Sequence, residues 1–580
     1  MFMNRILTIL IDFDHTLFDT EKFVKYLSEN PEELNYADFL YPDAIAFIDY
    51  ANSKGTTVLF SEGEPEFQKE KIQGSGIEEL FKGGVKILPS FSKMENLEEW
   101  KNKALVFVDD KPEVIDEAGK KGFLTIRVKR GKYADVETRK PAKYTVGSLA
   151  EIVEKDLLPK VRIHFLGIGG SGISGAALLS EKLGYEVSGC DLEVETAYRR
   201  NIARGHSPGH VKDADLVVAS PALLYQDKTN HEVQAAKKAG KLLTWQEFLG
   251  KYLADGRRTI CIAGTHGKST TTAMAGKVLA DAGLDPLVAL GARVPEWNGN
   301  ARFGHGDYFI IEADEFNDNF LNYSPEIIIL NNVEFDHPDY FKSEKEVFES
   351  FKKFVKKLTG EKILIVNKDS LGVKKLLSMI DQNEYKILEY SLTEENDLKL
   401  KIPGRHNLEN AMGVIKLGQV LGINDTLVKK SLSDFKGIGR RLELIADLRG
   451  IKVYDDYAHH PTAIKTTLEG VRDLYPKAKI LAVIEPHGYK RTKALLSKYK
   501  GVFAGVDGVF VGPIFKARDE VDMSVTPQKI ADAADHKNIK AFNDFDEKDV
   551  GRVINSYDVV IVMGAGKSYL WAKEIANLLK

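Results

Sequence analysis

Short, wholly apolar runs rich in Ile, Val, Leu and Phe recur along the chain. Leu7 to Ile11, Thr57 to Phe60, Leu216 to Ala219, Thr259 to Ile262, Tyr308 to Ile311, Ile327 to Leu330, Ile480 to Ile484 and Val559 to Met563 are of this kind. Most empty into a turn of glycine or acidic residues and then enter a stretch with helical spacing. Runs too short for helices and without polar alternation read as strands buried on both faces. Strands alternating with helices predict parallel α/β sheets, whose chemistry sits beyond the C-terminal strand ends. At 580 residues the chain exceeds what one core sustains. The pattern divides it into 1–156, 159–256, 257–434 and 435–580. The first boundary falls near Asp156 to Pro159, where a polar helical pattern gives way to a new strand.

Bulk composition narrows the partners. Lys+Arg 81 against Asp+Glu 85 leaves a net charge of −4, which offers no electrostatic attraction for nucleic acid or an anionic membrane. Hydrophobic content of 43% and charge of 29% are those of a soluble globular chain. No stretch approaches the roughly 20 apolar residues of a membrane span. The opening MFMNRILTILIDFD meets acids too early for a signal sequence and reads as a first strand. Cys190 and Cys261 sit at strand ends or turns, where a buried thiol is expected rather than a disulfide. The expected compartment is the cytoplasm.

The most informative stretch is AGTHGKSTTT, from Ala263 to Thr272, behind the strand Thr259 to Ile262. A strand, a glycine-rich turn and a helix start aim backbone N–H groups and the positive helix end at one point. That point suits a nucleotide triphosphate. Gly264, Thr265, His266, Gly267, Lys268, Ser269 and Thr270 would cradle its phosphates, with Lys268 neutralising charge and Ser269 reaching Mg²⁺. The general phosphate loop carries a Gly five residues before Gly267, and this chain has Ile262 there. EADEFNDNF (Glu312 to Phe320) and NNVEFDH (Asn331 to His337) follow further strands and bring oxygen ligands to the same edge, Glu312 beside Ser269 first among them.

The shorter loop, Gly264-Thr265-His266-Gly267-Lys268-Ser269, resembles that of the Mur ligases, as does GRHNLENAMG from Gly404 to Gly413. The resemblance extends over about residues 160 to 580. It implies a three-domain α/β ligase in which ATP and Mg²⁺ convert a substrate carboxylate to an acyl phosphate that an amine then attacks. It also implies Asn332 and Asn407 at the adenine side, His337 near a second metal, and Arg440 or Arg441 on the transferring phosphoryl group. Asp455 or Asp456 would hold the ATP ribose. His459 and His460, from YDDYAHHPTA, would face the reacting carboxylate or the incoming amine, joined by His487 and Arg491 from EPHGYKRTK.

HFLGIGGSGISG contains Gly167-x-Gly169-x-x-Gly172 after a strand, with Asp191 about twenty residues on. By itself this is a dinucleotide fingerprint, and a nicotinamide-dependent oxidoreductase is the competing reading. Only about 95 residues separate this loop from the triphosphate loop, which leaves little room for a second nucleotide half. The stretch resembles the N-terminal, UDP-binding domain of the Mur ligases. That implies Gly167, Gly169, Gly170, Ser171, Gly172, Asp191 and Ser220 around the diphosphate of UDP-N-acetylmuramate. Two amine substrates stay open. His487-x-Tyr489-x-Arg491-Thr492 favours L-alanine, whereas Arg440 to Leu444, Ala458 and Asn331 to His337 lean toward murein tripeptide.

LTILIDFDHTLFDT, from Leu7 to Thr20, ends a strand in Asp12 and Asp14. With Ser61, Lys93, Asp109 and Asp110 it resembles the HAD-like phosphohydrolases over about residues 5 to 150. The resemblance implies Asp12 as nucleophile and Asp14 as general acid/base. It further implies Ser61 and Lys93 on phosphate and Asp12, Asp14, Asp109 and Asp110 around Mg²⁺. Room between Thr20 and Tyr41 suffices only for a small helical cap. A retained, non-catalytic docking module is the alternative. The C-terminal VVIVMGAG followed by Lys567-Ser568 lacks phosphate-loop spacing and reads as structural.

Overall fold

The computed structural model describes residues 7–29, 34–100, 106–196, 198–227, 229–394, 398–517 and 519–580. The chain forms two compact units. The first takes in the residues up to Ile163 with 180–188 and 212–216, and the second holds the rest. Among the described residues, no helix is long and apolar enough to cross a membrane.

The N-terminal segment is built on a six-stranded parallel sheet, in spatial order Val85–Leu88, Thr56–Glu62, Thr8–Ile11, Val106–Asp109, Leu124–Val128 and Tyr144–Val146. Ile11 pairs with both Leu59 and Val108, so the C-terminal ends of three neighbouring strands point the same way. Asp12, Ser61 and Asp109 therefore lie along one sheet edge. Leu10, Val58, Phe60, Phe107, Val114 and Ile115 form the core beneath. Among the described residues, the insertion between Thr20 and Tyr41 holds a helix Thr20–Glu29 and a 3₁₀ turn Tyr36–Phe39.

A five-stranded sheet follows, ordered Leu242–Thr244, Leu216–Ala219, Arg162–Leu166, Glu186–Asp191 and Ala203–Arg204. The second unit then contributes a seven-stranded sheet centred on Arg258–Ala263, flanked by Tyr308–Ala313 and Ile327–Leu330. These strands are parallel, and the one antiparallel member is the edge strand Gly299–Arg302. Ile260, Ile262, Ile310 and Ile329 are fully buried against Ala273, Met274 and Val278 of the helix Lys268–Asp281. Each such side chain contributes about 1.5–3 kcal/mol of burial, which anchors the strand and helix on either side of the glycine turn. The last sheet runs Glu443–Leu448, Ile451–Asp456, Val559–Gly564, Ile480–Glu485, Gly508–Val511 and Ile539–Ala541, again with one antiparallel edge strand. Both cysteines are buried and free.

Candidate functional site

The triphosphate loop begins where the buried strand stops. Ile262 is fully buried and paired with Glu312 and Ile329, so it belongs to the sheet and the loop starts at Gly264. Gly264 has φ +137°, and Gly267 sits at φ +81° as the residue before the helix. A Cβ on Gly267 would come within 2.3 Å of Asn410 Oδ1. Backbone handedness and close packing both require glycine there.

Lys268 Nζ donates to the carbonyls of Gly264 (2.7 Å) and Thr265 (3.3 Å) and to Glu315 Oε2 (2.7 Å). Ser269 Oγ donates to Glu312 Oε1 at 2.8 Å, and the Gly291 N–H donates to Glu312 Oε2. The hydroxyl and carboxylate expected around Mg²⁺ thus touch each other. Burial and the Asp314 carboxylate push Glu315 up to about 7 against the pull of Lys268, and Glu315 Oε1 is buried without a hydrogen-bond partner. Burial disfavours the Lys268 ammonium, but Glu315 and Asp314 more than offset this and raise its pKa. Asp314, Glu315 and His337 bring ligand atoms within 4.8 Å of one another. Oxygen donors, one imidazole and an orphaned carboxylate oxygen fit a hard cation beside a phosphate chain.

The loop opens on a cleft of ≈ 1440 Å³. His266, His337, Arg441, His459, His460, His487 and Arg491 all line it. Arg491 donates from Nε to Asp336 Oδ1 at 2.8 Å and lies against His487 and His337. His460 caps the helix Pro461–Leu474 by accepting from the Thr462 N–H through Nδ1, which leaves Nε2 as its N–H. Burial drives His460 down to about 4 and His459 well below its ordinary value. Burial opposes ionisation of Glu334, yet His266 and His460 hold it down to about 2. The cleft therefore presents His459 and His460 as neutral imidazoles beside fixed carboxylates and the cations Lys268, Arg441 and Arg491.

Several expected roles are revised. Arg440 is bonded to Asp455 (3.0 Å), to the Gly564 carbonyl and to Ser568 Oγ, so only Arg441 lines the cleft. Asp455 gives Oδ2 to that pair, while its Oδ1 is buried without a hydrogen-bond partner. Asp456 accepts from the backbone of Leu442 and Ala458, and it reaches a second, smaller pocket shared with Thr270, Asn407 and Arg441. Asn332 lines the cleft, and its amide oxygen accepts from the His266 N–H (2.8 Å) while its amide nitrogen donates to the His266 carbonyl, bracing the loop. Glu315, Glu334 and Asp336 were missed. All three stand inside quoted motifs, but their partners Lys268, His266 and Arg491 come from other strands' loops.

In the upstream glycine loop, Gly167 has φ +76°, and the helix Ser171–Lys182 starts directly after Gly170. A Cβ on Gly172 would strike the Trp245 ring at 2.5 Å. Asp191 spends Oδ2 on the Gly169 N–H (2.9 Å) and Oδ1 on the Leu192 N–H (2.7 Å). Both bonds shape the loop. Ser220 precedes the helix Pro221–Gln226 without capping it through its hydroxyl. At the C-terminal turn, Glu485 accepts from the N–H groups of Lys567 and Ser568, filling with a carboxylate the place an anion would need.

In the N-terminal unit, Asp12, Asp109 and Asp110 converge, all buried, with ligand atoms within 4.8 Å. Lys93 bridges Asp12 and Asp109, the latter at 2.8 Å. Asp110 has both carboxylate oxygens buried without a partner, and burial with the Asp109 and Asp12 charges pushes it up to about 9. A divalent cation fits that orphaned set. Asp14 departs from its expected place: Lys71 (2.6 Å), Thr20 (2.7 Å) and Gln68 bind its carboxylate. Against burial, Lys71 keeps it ionised, so it is neither in the cluster nor poised as an acid. Ser61 Oγ accepts from Gln68 at 3.2 Å.

Residues 162–257, 262–401 and 440–566 match, in turn, the Mur ligase family catalytic domain, the Mur ligase middle domain and the Mur ligase glutamate ligase domain. A UDP-N-acetylmuramate–L-alanine ligase of Pelotomaculum thermopropionicum is 32% identical over 456 residues, covering 73% of this chain and 98% of that protein. The chain belongs to the Mur ligase family. The Endomicrobium trichonymphae UDP-N-acetylmuramate–L-alanine ligase is 33% identical over 73% of this chain and 100% of its own length. The crystal structure of the Thermotoga maritima UDP-N-acetylmuramate–alanine ligase superposes with a TM-score of 0.58 at 26% identity, over 72% of this chain and 98% of that one. A murein peptide ligase from Psychrobacter arcticus shares the fold, with a TM-score of 0.53 at 24% identity over 72% and 98% of the two chains. Mur ligase membership displaces the oxidoreductase reading of the upstream glycine loop.

Proposed function

We propose that this Mur ligase joins L-alanine to the lactyl carboxylate of UDP-N-acetylmuramate at the expense of ATP, in cytoplasmic synthesis of peptidoglycan precursors. The observation that carries the reading is the cleft that gathers Lys268, Ser269–Glu312, Arg441, His459, His460 and Arg491 around the triphosphate loop. The choice of L-alanine over murein tripeptide rests on the relatives above 30% identity, which are L-alanine ligases.

The substrate carboxylate oxygen attacks the γ-phosphorus and ADP leaves. The amine nitrogen then attacks the acyl carbon, and collapse of the tetrahedral intermediate expels inorganic phosphate. Mg²⁺, held by Ser269 and Glu312, would supply charge neutralisation along the phosphates. Lys268 binds the β/γ-phosphates once they compete Glu315 off its ammonium. Arg441 stabilises charge on the transferring phosphoryl group. Neutral His459 and His460 place no cation where the ammonium must shed its proton, and Arg491, braced by Asp336, orients the carboxylate end of the incoming amino acid.

The test is Mg²⁺-dependent phosphate release from ATP with UDP-N-acetylmuramate, comparing L-alanine, murein tripeptide and no amine in an Asp12→Asn background. Stimulation by L-alanine supports the reading, stimulation by tripeptide alone replaces the amine, and silence with both in protein that binds ATP removes it.

A second reading concerns residues 7–156. The unpartnered Asp110 carboxylate beside Asp12 and Asp109 supports a HAD-like, Mg²⁺-dependent phosphohydrolase. Asp12 would attack phosphorus while Lys93 neutralises the phosphate. Hydrolysis of p-nitrophenyl phosphate that needs Mg²⁺ and vanishes in Asp12→Asn supports it. Unchanged hydrolysis in that variant removes it.

A further inference from the structure

Behind the glycine loop of the five-stranded sheet lies a cluster that the ligase chemistry does not use. His164 comes from the strand Arg162–Leu166, Cys190 from Glu186–Asp191, His210 from the short helix His210–Asp213, and Glu232 from the helix His231–Lys238. Glu232, Cys190 and His164 are buried, at 0%, 0% and 3% exposure. One ligand atom from each of the four lies within 4.8 Å of the others. His164 Nε2 is 3.4 Å from Cys190 Sγ and 3.2 Å from Glu232 Oε1. Cys190 Sγ is 3.3 Å from Glu232 Oε2, and His210 Nδ1 is 2.8 Å from Glu232 Oε1.

We propose that His164, Cys190, His210 and Glu232 form a tetrahedral Zn²⁺ site. Zinc bonds of about 2.0–2.1 Å to N or O and about 2.3 Å to S give tetrahedral edges of roughly 3.3–3.6 Å. The His164–Cys190 and His164–Glu232 separations, 3.4 and 3.2 Å, approach that range, and the thiol reaches the other oxygen of Glu232 at 3.3 Å. His164 Nε2 and His206 Nδ1 both lie against Cys190 Sγ, at 3.4 and 3.2 Å, while the sulfur also lies within reach of Glu232. The Ser207 N–H already occupies Glu232 Oε2 at 2.9 Å. Thiol, carboxylate and imidazoles crowd one buried point, the arrangement a shared cation needs. The mixed S, N and O donor set selects Zn²⁺ over Mg²⁺ or Ca²⁺. The site would fix Cys190 next to Asp191, whose carboxylate holds the Gly169 N–H in the loop offered to the nucleotide-sugar.

The test is a Co²⁺ titration of the full-length, metal-stripped protein followed by absorption spectroscopy. The expected result is intense tetrahedral d–d absorption with thiolate-to-metal charge transfer, saturating at one Co²⁺ per chain and bleached by Zn²⁺. The carboxylate clusters at Asp12 and Glu312 contain no sulfur, so Co²⁺ there gives no charge-transfer band. Cys261, the other cysteine, is fully buried in its strand, and Cys261→Ala should keep the band. Cys190→Ser should lose it and weaken the tetrahedral signal by more than about tenfold in affinity. Absence of the band in the wild-type protein overturns the site without recourse to any variant. Persistence in Cys190→Ser, or loss in Cys261→Ala, overturns it as well.

Discussion

Replacing Lys268 by Met tests whether this lysine serves the phosphates or the fold. Its ammonium is buried beside Glu315, and stripping one member from a buried ion pair ordinarily costs about 3–5 kcal/mol, because the other is left charged. Glu315 has an escape. Burial and Asp314 already raise its carboxyl to about 7 even with Lys268 present, so protonation is within reach near neutral pH. Without Lys268 it takes up a proton instead of standing charged in the interior, so the cost stays well below that of an orphaned buried charge. Loss of the bonds to the Gly264 and Thr265 carbonyls adds about 1 kcal/mol. The loss of transition-state stabilisation is of another size. A preorganised charge on a transferring phosphoryl group is worth about 3–4 kcal/mol, or roughly 10²–10³ in rate. Lys268→Met should therefore melt within about 4 °C of the wild type while amine-dependent phosphate release falls at least about 100-fold. Differential scanning fluorimetry and coupled phosphate release measure the two. Rates within tenfold of wild type, or loss of cooperative melting, would refute this separation of roles.

Three further outcomes follow from single side chains. Gly267→Ala forces a Cβ to 2.3 Å from Asn410 Oδ1 at φ +81°, and calorimetry should show ATP affinity down by at least about tenfold, since strain of roughly 1–2 kcal/mol falls on the loop itself. Arg491→Ala leaves Asp336 buried without its cation, and a loss of about 3–5 kcal/mol is expected in denaturant unfolding of the region, with Arg491→Lys a poor rescue because the guanidinium also reaches His487 and His337. Asp110 carries the opposite sign. Its folded value of about 9 lies above the ordinary 3.8, so its contribution to stability is lost as pH rises from near 4 through 9. By pH 7 that loss is about 4 kcal/mol. Asp110→Asn should flatten this slope and raise the melting temperature of metal-free protein, and added Mg²⁺ should stabilise only the wild type. A variant no more stable than wild type above pH 7 would sink that account.

What could be read from the chain and what could not differ in physical kind. Strand positions were legible because apolar runs such as Ile327 to Leu330 or Val559 to Met563 have no other way to bury themselves. The phosphate loop was legible because its backbone conformation demands glycine at Gly264 and Gly267. Side-chain direction in the irregular turns was not. Arg440 and Leu442 both have positive φ, at 58° and 51°, so the backbone reverses twice around Arg441 and sends two adjacent arginines to different places. One is locked on Asp455 and Ser568, and the other lines the cleft. Asp455 and Asp456 are separated more simply, by the alternation of faces at the end of one strand.

Pairings across the sheet edge were the hardest to foresee. Arg491 and Asp336 are 155 residues apart, and His164, Cys190 and Glu232 come from three separate elements. Each residue has an innocuous reading in its own segment, as a strand-end acid, a small buried thiol or a helix-start glutamate. Their chemistry arises when parallel strands bring loops to one edge and burial removes the water that would otherwise satisfy them. Glu315 shows this most directly. Beside Glu312 in the same motif, it looks like a second solvated acid, yet the fold buries it, raises it to about 7 and sets it on the lysine of the phosphate loop. A carboxyl that titrates near neutrality can release Lys268 to an incoming triphosphate by taking up a proton. Binding of ATP should accordingly be accompanied by proton uptake near pH 7, measurable as a buffer-dependent enthalpy. A binding enthalpy independent of the buffer's ionisation heat would show that Glu315 keeps its charge and that Lys268 is shared between carboxylate and phosphate.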